Sequence, residues 1–392
     1  MHFGFVASAA FGHVNPTLPL VEELVARGHR VSYATGPEQL PAVVRAGAIP
    51  LEMDWQVELG SFAGTVFTTD GVVGMINTSI LEAIAHFPSL LDSLDKAGVE
   101  ALCIDTIEPA GRCVAHKLGL PEVLTVPHIA VNEHFTLKEF MFPRDFDPTD
   151  PKMGEIGRIT EVFLTEHDLP AELLLPGAKA APLNLVFVPR WFQPRGDTFD
   201  DTFAFLGPAL PRQAAAQHWQ PPADGSPVLL VSAGTVYNNQ PELLANCVKA
   251  FADSPWHVVM ATGRTPDLGR VPANFELHKR VPQLAVLRHA KAFISHSGMN
   301  STMEAFYHGV PLVSVPQIPE QRLNGRRTAE LGLGRVLETG AITAEMLRTT
   351  VDELAGDPEV AANLRRRQQD VRTGDPAKRG ADVLEEHLRL IM

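Results

Sequence analysis

Residues 292–321, AFISHSGMNSTMEAFYHGVPLVSVPQIPEQ, read as strand, turn, helix, turn, strand. An apolar run ends near Ser295, small residues follow at Ser297 and Gly298 where a helix begins, and Gly309 closes that helix before a second apolar run over 311–317. Such a unit joins two parallel strands, so it calls for an α/β fold. The turn also carries chemistry. Backbone N–H groups at a helix N-terminus, with the helix dipole behind them, favour an anion such as phosphate. His296, at the strand end, is placed to donate to a phosphate oxygen, and Asn300 and Ser301 add donors in the first turn. Glu304, one turn on, is placed to accept from sugar hydroxyls. Glu320 and Gln321, read as the end of the second strand, pair an acceptor with an amide and suit a polyol. A phosphate site beside a polyol site describes a nucleotide sugar.

Working outward, the same alternation fills both halves of the chain. HFGFVASAA (2–10) is an apolar run entering a turn, PTLPLVEELVARG (16–28) has apolar residues at helical spacing, and HRVSYAT (29–35) is a strand. VEALCID (99–105), AGRCVAHKLG (110–119) and EVLTVP (122–127) repeat strand, helix, strand, while 136–182 reads as loops and helices over the sheet. A Pro-rich stretch without periodicity then marks a linker. Beyond it PVLLVSAGT (227–235), QPELLANCVKAFAD (240–253) and HVVMATG (257–263) restart the series. The reading is two Rossmann-like, doubly wound parallel-sheet domains facing across a cleft: 1–206, a linker at 207–226, a second domain at 227–372, and a charged C-terminal helix at 373–392 that packs back on the first.

Composition sets limits on this. The 392 residues are 45% hydrophobic and 20% charged, a globular balance. The formal net charge of −13 argues against nucleic acid as a partner. Residues 1–200 hold 13 basic and 26 acidic side chains and so carry all of it, whereas 201–392 hold 20 of each. The neutral half is the better host for an anionic ligand. Three cysteines, Cys103, Cys113 and Cys247, do not make a disulfide framework or a zinc site, which favours a reducing, cytoplasmic location. No run reaches the ~20 apolar residues of a membrane helix, and the N-terminus lacks the basic residues of an export signal. The dinucleotide fingerprint G-x-G-x-x-G, the P-loop, the G-x-S-x-G elbow and H-E-x-x-H are all missing.

With these residues in view, the chain resembles the nucleotide-sugar glycosyltransferases of GT-B fold, family 1, in particular the bacterial macrolide and antibiotic branch. The likeness runs through GHVNPTLPLVEELVARGHRVSYAT (12–35), VSAGT (231–235), VPQLAVLRHA (281–290) and the 292–321 block. It implies a general base at His13, at the C-terminal end of the first strand where α/β sheets carry ligands, paired with Asp105 (Asp70 being the second choice of carboxylate). It places Gly234 and Thr235 near a diphosphate, Gln283 on a ribose and the backbone near Val281 against the base. His296, Ser297, Gly298, Asn300, Ser301, Glu304, Glu320 and Gln321 complete the donor set. Where the family often stacks an aromatic residue, this chain has Arg280, whose flat guanidinium can also stack. Ser297 stands where Gly or Ala is commoner.

The resemblance further implies an inverting hexosyl transfer without a metal or cofactor, with UDP-glucose favoured over TDP-sugars. The D-x-D at Asp145–Phe146–Asp147, far from the donor block, is not expected to hold a metal. The acceptor is expected to be a hydrophobic alcohol or phenol such as a macrolide or polyketide, met by Phe62, Phe67, Met75, Phe87, Phe135 and Phe140 in the first domain, with no integral membrane contact and room for a homodimer. The alternatives are a TDP-deoxysugar transferase of antibiotic biosynthesis and a non-catalytic binder of the same fold, against which the retention of His13 and Asp105 speaks.

Overall fold

A computed structural model describes the chain except residues 56–67, 144–145, 148–150, 175–179, 211–217, 236–239, 264–267 and 339–341. It divides into two compact units, Met1–Ala209 with Asp375–Met392, and Leu210–Gly374. The first is built on strands β1 (His2–Val6), β2 (Arg30–Thr35), β3 (Ile49–Glu52), β4 (Ala101–Asp105), β5 (Glu122–Val126), β6 (Asn184–Val186) and β7 (Phe203–Phe205), in the order β3-β2-β1-β4-β5-β6-β7. The second holds β8 (Val228–Ser232), β9 (His257–Ala261), β10 (Phe275–His278), β11 (Ala290–Ser295), β12 (Leu312–Ser314) and β13 (Gly334–Val336), in the order β10-β9-β8-β11-β12-β13. Every pairing is parallel, for example Val6 with Ile104 and Ser232 with Ser295.

The central strands HFGFV, ALCID and VLLVS are buried along their whole length. Strands covered on both faces read as unbroken apolar runs rather than alternating ones. Helix Leu18–Ala26 lays Leu20, Val21 and Leu24 on one face of the first sheet. Its opposite face is covered by helix Thr69–Ala97, which presents Phe87, Leu90 and Leu94 at helical spacing. Each fully buried side chain of this size contributes roughly 1.5–3 kcal/mol.

That 29-residue helix is a feature the patterning did not announce. It starts at Thr68, whose hydroxyl accepts from the Gly71 N–H at 3.1 Å, and ends at Gly98 in the left-handed region. Likewise 136–182 contains a 17-residue helix, Pro151–His167. Between the two helices lies a small cluster of Val72, Ile76, Ile80 and Ile156.

The C-terminal helix expected at 373–392 is Pro376–Ile391, and helix Pro358–Arg372 precedes it. Pro358–Arg372 and Pro376–Ile391 are each capped by an aspartate, Asp357 and Asp375, and each begins with proline. The second belongs to the first unit. Leu384 and Leu388 enter the core beside Leu20 and Leu24, while Arg27 reaches Asp382 at 2.8 Å and Glu385 at 3.0 Å. Trp219, late in the expected linker, donates to Glu276 at 3.0 Å within the second unit. The three cysteines are free and buried. Among the described residues no helix is long and apolar enough to cross a membrane.

Candidate active site

In both sheets the strand order reverses once, between β1 and β4 and between β8 and β11. Ligands of open α/β sheets bind at such switch points, beyond the carboxyl ends of the strands. His13 and Asp105 stand at the first of these places, and His296, Ser297 and Gly298 at the second.

At the first, β1 runs into a turn and the short helix Phe11–Val14, and β4 ends at Asp105. His13 Nδ1 lies 2.7 Å from Asp105 Oδ2. The carboxylate is wholly buried, while the imidazole keeps 21% of its side-chain surface. The other carboxylate oxygen, Oδ1, accepts from the Ile107 N–H at 3.0 Å, which fixes the group's orientation. A carboxylate on Nδ1 holds the proton there, so Nε2 becomes the basic nitrogen. Asp70, the other carboxylate considered, sits in the exposed first turn of helix Thr69–Ala97. The pair is therefore His13 with Asp105.

Two further groups stand at this centre and were missed. Glu108, three residues after Asp105, hydrogen-bonds Ser8 in the turn after β1. Burial first, and Asp105 second, push its carboxyl up to about 8, so it holds a proton at neutral pH. His128, beyond β5, has its ring centroid 6.3 Å from that of His13. An acidic residue or a histidine just past a strand end is the signal that would have found both.

At the second switch point, helix Met299–His308 begins at Gly298 with no side chain capping it. A helix N-terminus of this kind favours an anion through its dipole. His296 lies in this turn. Burial drives its pKa down to about 4, the nearby Ser232 carbonyl offsetting this only in part, and its Nδ1 is buried with no hydrogen-bond partner. The ring is framed by two glycines. A Cβ on Gly234 would fall 2.6 Å from His296 Nε2, and one on Gly298 would fall 2.4 Å from it. His296 is therefore neutral and can donate only as an uncharged N–H, and the positive end at this site is the helix N-terminus.

Ser297 has φ +63° and is fully buried, with its hydroxyl unpartnered. The left-handed conformation explains why Gly is the easier residue there. Its carbonyl accepts from Asn324 Nδ2 at 3.0 Å, a support the sequence did not suggest. Gln283 Nε2 donates to Ser301 Oγ at 3.0 Å and to Glu304 Oε2 at 2.7 Å. Burial raises the Glu304 carboxyl to about 7, against the opposing pull of the Gln283 amide. Val281, Gln283 and Glu304 are half-buried, Thr235 and Arg280 are exposed, and Asn300 stands half-buried in the first helical turn.

Glu320 and Gln321 do not end a strand. β12 stops at Ser314, and both residues occupy the first turn of helix Pro319–Glu330. A proline at the helix start supplied the missed signal. Gln321 is buried and its Oε1 accepts from the Gln317 N–H at 2.9 Å, while Glu320 Oε1 accepts from Asn324 at 3.3 Å.

The acceptor residues separate. Phe87 is 1% exposed and packs against Phe163 and His167, so it belongs to the core and not to an acceptor surface. Met75 is half-buried on the long helix, and Phe135 and Phe140 pair with ring centroids 6.1 Å apart. Phe62, Phe67 and Asp145 lie outside the described residues, and Phe146 packs on Phe142 at 4.7 Å.

Comparison with known proteins bears on this arrangement. The family model for UDP-glucoronosyl and UDP-glucosyl transferase matches residues 189–372. An NDP-glycosyltransferase of Bacillus subtilis is 36% identical over 99% of this chain and 97% of its own. The chain belongs to the UDP-glucoronosyl and UDP-glucosyl transferase family. This glycosyltransferase is also 36% identical to a demethyllactenocin mycarosyltransferase of Streptomyces fradiae, over 98% of this chain and 86% of the other. A solved calicheamicin glycosyltransferase superposes with a TM-score of 0.83 at 34% identity, covering 100% of this chain and 98% of that one. The two-sheet architecture is GT-B.

Proposed function

We propose that this glycosyltransferase moves a hexose, with glucose from UDP-glucose as the first choice, to a hydroxyl of a hydrophobic natural product, with inversion and without a metal. The observation that carries the reading is the His13–Asp105 pair at 2.7 Å beside the first switch point. His13 Nε2 takes the acceptor's hydroxyl proton as that oxygen bonds to the anomeric carbon, and Asp105 stabilises the imidazolium that forms. The bond from the anomeric carbon to the phosphate oxygen breaks in the same displacement. The nucleoside diphosphate leaves with its negative charge, which the uncapped helix N-terminus at Met299 and the neutral His296 are suited to meet. Gln283, Ser301 and Glu304, linked to one another, suit the ribose hydroxyls. Relatives named for acting on antibiotics support the acceptor class.

The nucleotide is the open choice within this reading, because Arg280 stands where an aromatic residue would select the base. Incubating the enzyme with a panel of macrolides, polyketides and phenols, each with UDP-glucose, TDP-glucose or a TDP-deoxysugar, tests it by mass spectrometry. A mass gain of one hexose with UDP-glucose is expected. Gain only with TDP-deoxysugars would favour the biosynthetic alternative, and no transfer from any donor would contradict the proposal.

A further inference from the structure

Two histidines meet at the first switch point, and only one is arranged as a base. The His128 and His13 rings stand edge to face at 67°. His128 Nδ1 lies 2.9 Å from the Ile129 carbonyl oxygen, and Nε2 lies 3.0 Å from Thr106 Oγ1. A carbonyl only accepts, so Nδ1 carries the proton and donates it. In the neutral ring Nε2 then accepts from the Thr106 hydroxyl. Both nitrogens are engaged, and the ring takes a proton from a substrate only by breaking a bond it already makes. Thr106 directly follows Asp105, and its backbone N–H donates to Thr125 at 3.2 Å, so the residue locking His128 is part of the same rigid strand end as the carboxylate of the base.

The loop carrying His128 is also held on its far side. Gln193 is 1% exposed; its Oε1 accepts from the Ala130 N–H at 2.9 Å and its Nε2 donates to the Ala130 carbonyl at 3.0 Å. Asn132 Nδ2 donates to the Thr198 carbonyl at 3.0 Å. A half-buried ring thus borders the base with its orientation fixed from two directions. A side chain with nothing to position would not call for this support, since ordering it costs conformational entropy.

We propose that His128 is a specificity-determining residue of the acceptor side, a fixed aromatic wall next to His13 that sets which hydroxyl of the acceptor reaches the base. The inference rests on the transfer reading above. It uses the carbon edge and face of the ring and gives His128 no part in proton transfer.

The test uses an acceptor with several hydroxyls, such as a polyphenol, with products separated by chromatography and assigned by NMR. His128→Ala should change the ratio of regioisomers at least about threefold and raise the acceptor KM about tenfold, with UDP affinity within about twofold of wild type. His128→Phe, which keeps a ring there, should return the ratio toward that of wild type. Thr106→Val, which removes one of the two locks, should shift the ratio in the direction of the alanine variant. An unchanged ratio and unchanged acceptor KM in a folded His128→Ala would overturn the proposal. So would a loss of UDP binding together with thermal stability, which marks a merely structural ring. A wild-type enzyme that glycosylates no acceptor would overturn both the proposal and the reading beneath it, a result distinct from an unchanged regioisomer ratio.

Discussion

In the first unit, the turn after β1 carries His13, held by a buried carboxylate at 2.7 Å and partly open to solvent. In the second, the turn after β11 carries His296, half-buried, with Nδ1 buried and unpartnered and the pKa driven down to about 4. Both residues stand beside the reversal of a parallel sheet. The fold offers the same address twice, and the neighbours decide the chemistry. A carboxylate on one ring nitrogen favours the protonated ring, whereas desolvation between two glycines keeps a ring neutral. The proposed transfer needs a base for one substrate and an anion site for the other, and these two environments suit those two tasks.

The comparison can be broken at its strongest point first. Asp105→Asn removes the charge that arms His13, and kcat should fall about 10²–10⁴-fold while UDP affinity stays within about twofold. Steady-state kinetics checks this, and a fall of less than about tenfold would separate His13 from its carboxylate. In the second unit the equivalent change is Gly298→Ala. The added methyl meets the His296 ring, so UDP affinity measured by calorimetry should weaken about 10–100-fold, the range of a lost hydrogen bond to a charged group. Undiminished affinity would remove the framed imidazole from the anion site.

Smaller effects sharpen the contrast through pH. Burial raises the Glu108 carboxyl from its ordinary value of 4.5 to about 8, so between these values the folded state holds more protons than the unfolded one. Its contribution is full below about pH 4.5 and is lost as pH rises through about 8. Glu108→Gln should therefore raise the urea midpoint at pH 8 and leave it little changed at pH 4.5. Equal effects at both values would contradict the protonated carboxyl. The smallest change is Ser297→Gly. Relieving the left-handed strain should stabilise the second unit by about 1 kcal/mol, seen as a higher melting temperature, whereas a loss of stability would mean that the buried hydroxyl contributes more than the strain costs.

How much of this was legible depended on whether a signal was local. The strands at 99–105 and 257–263 show themselves as apolar stretches, because a strand covered on both faces needs them. His13 was legible as a strand-end residue. The pairing with Asp105 is what the family resemblance implies, and only three dimensions bring these positions, 92 residues apart, to 2.7 Å. Glu320 and Gln321 were misplaced because Val315–Pro319 reads as continued strand, while Pro319 in fact starts a helix. Phe87 reads as an acceptor contact because a phenylalanine looks alike in core and pocket, and burial tells them apart only after folding. The left-handed backbone at Ser297 and the protonated Glu108 had no sequence signal, since both are set by neighbours distant along the chain.

The most direct test of the account is a crossed measurement on His13→Ala and His296→Ala, reading transfer rate at saturating donor and UDP affinity for each. The account predicts that His13→Ala lowers kcat about 10²–10⁴-fold with UDP affinity within about twofold of wild type, and that His296→Ala does the reverse, weakening UDP far more than it slows transfer. Normal turnover in His13→Ala, or a loss of UDP binding in His13→Ala with none in His296→Ala, would contradict it.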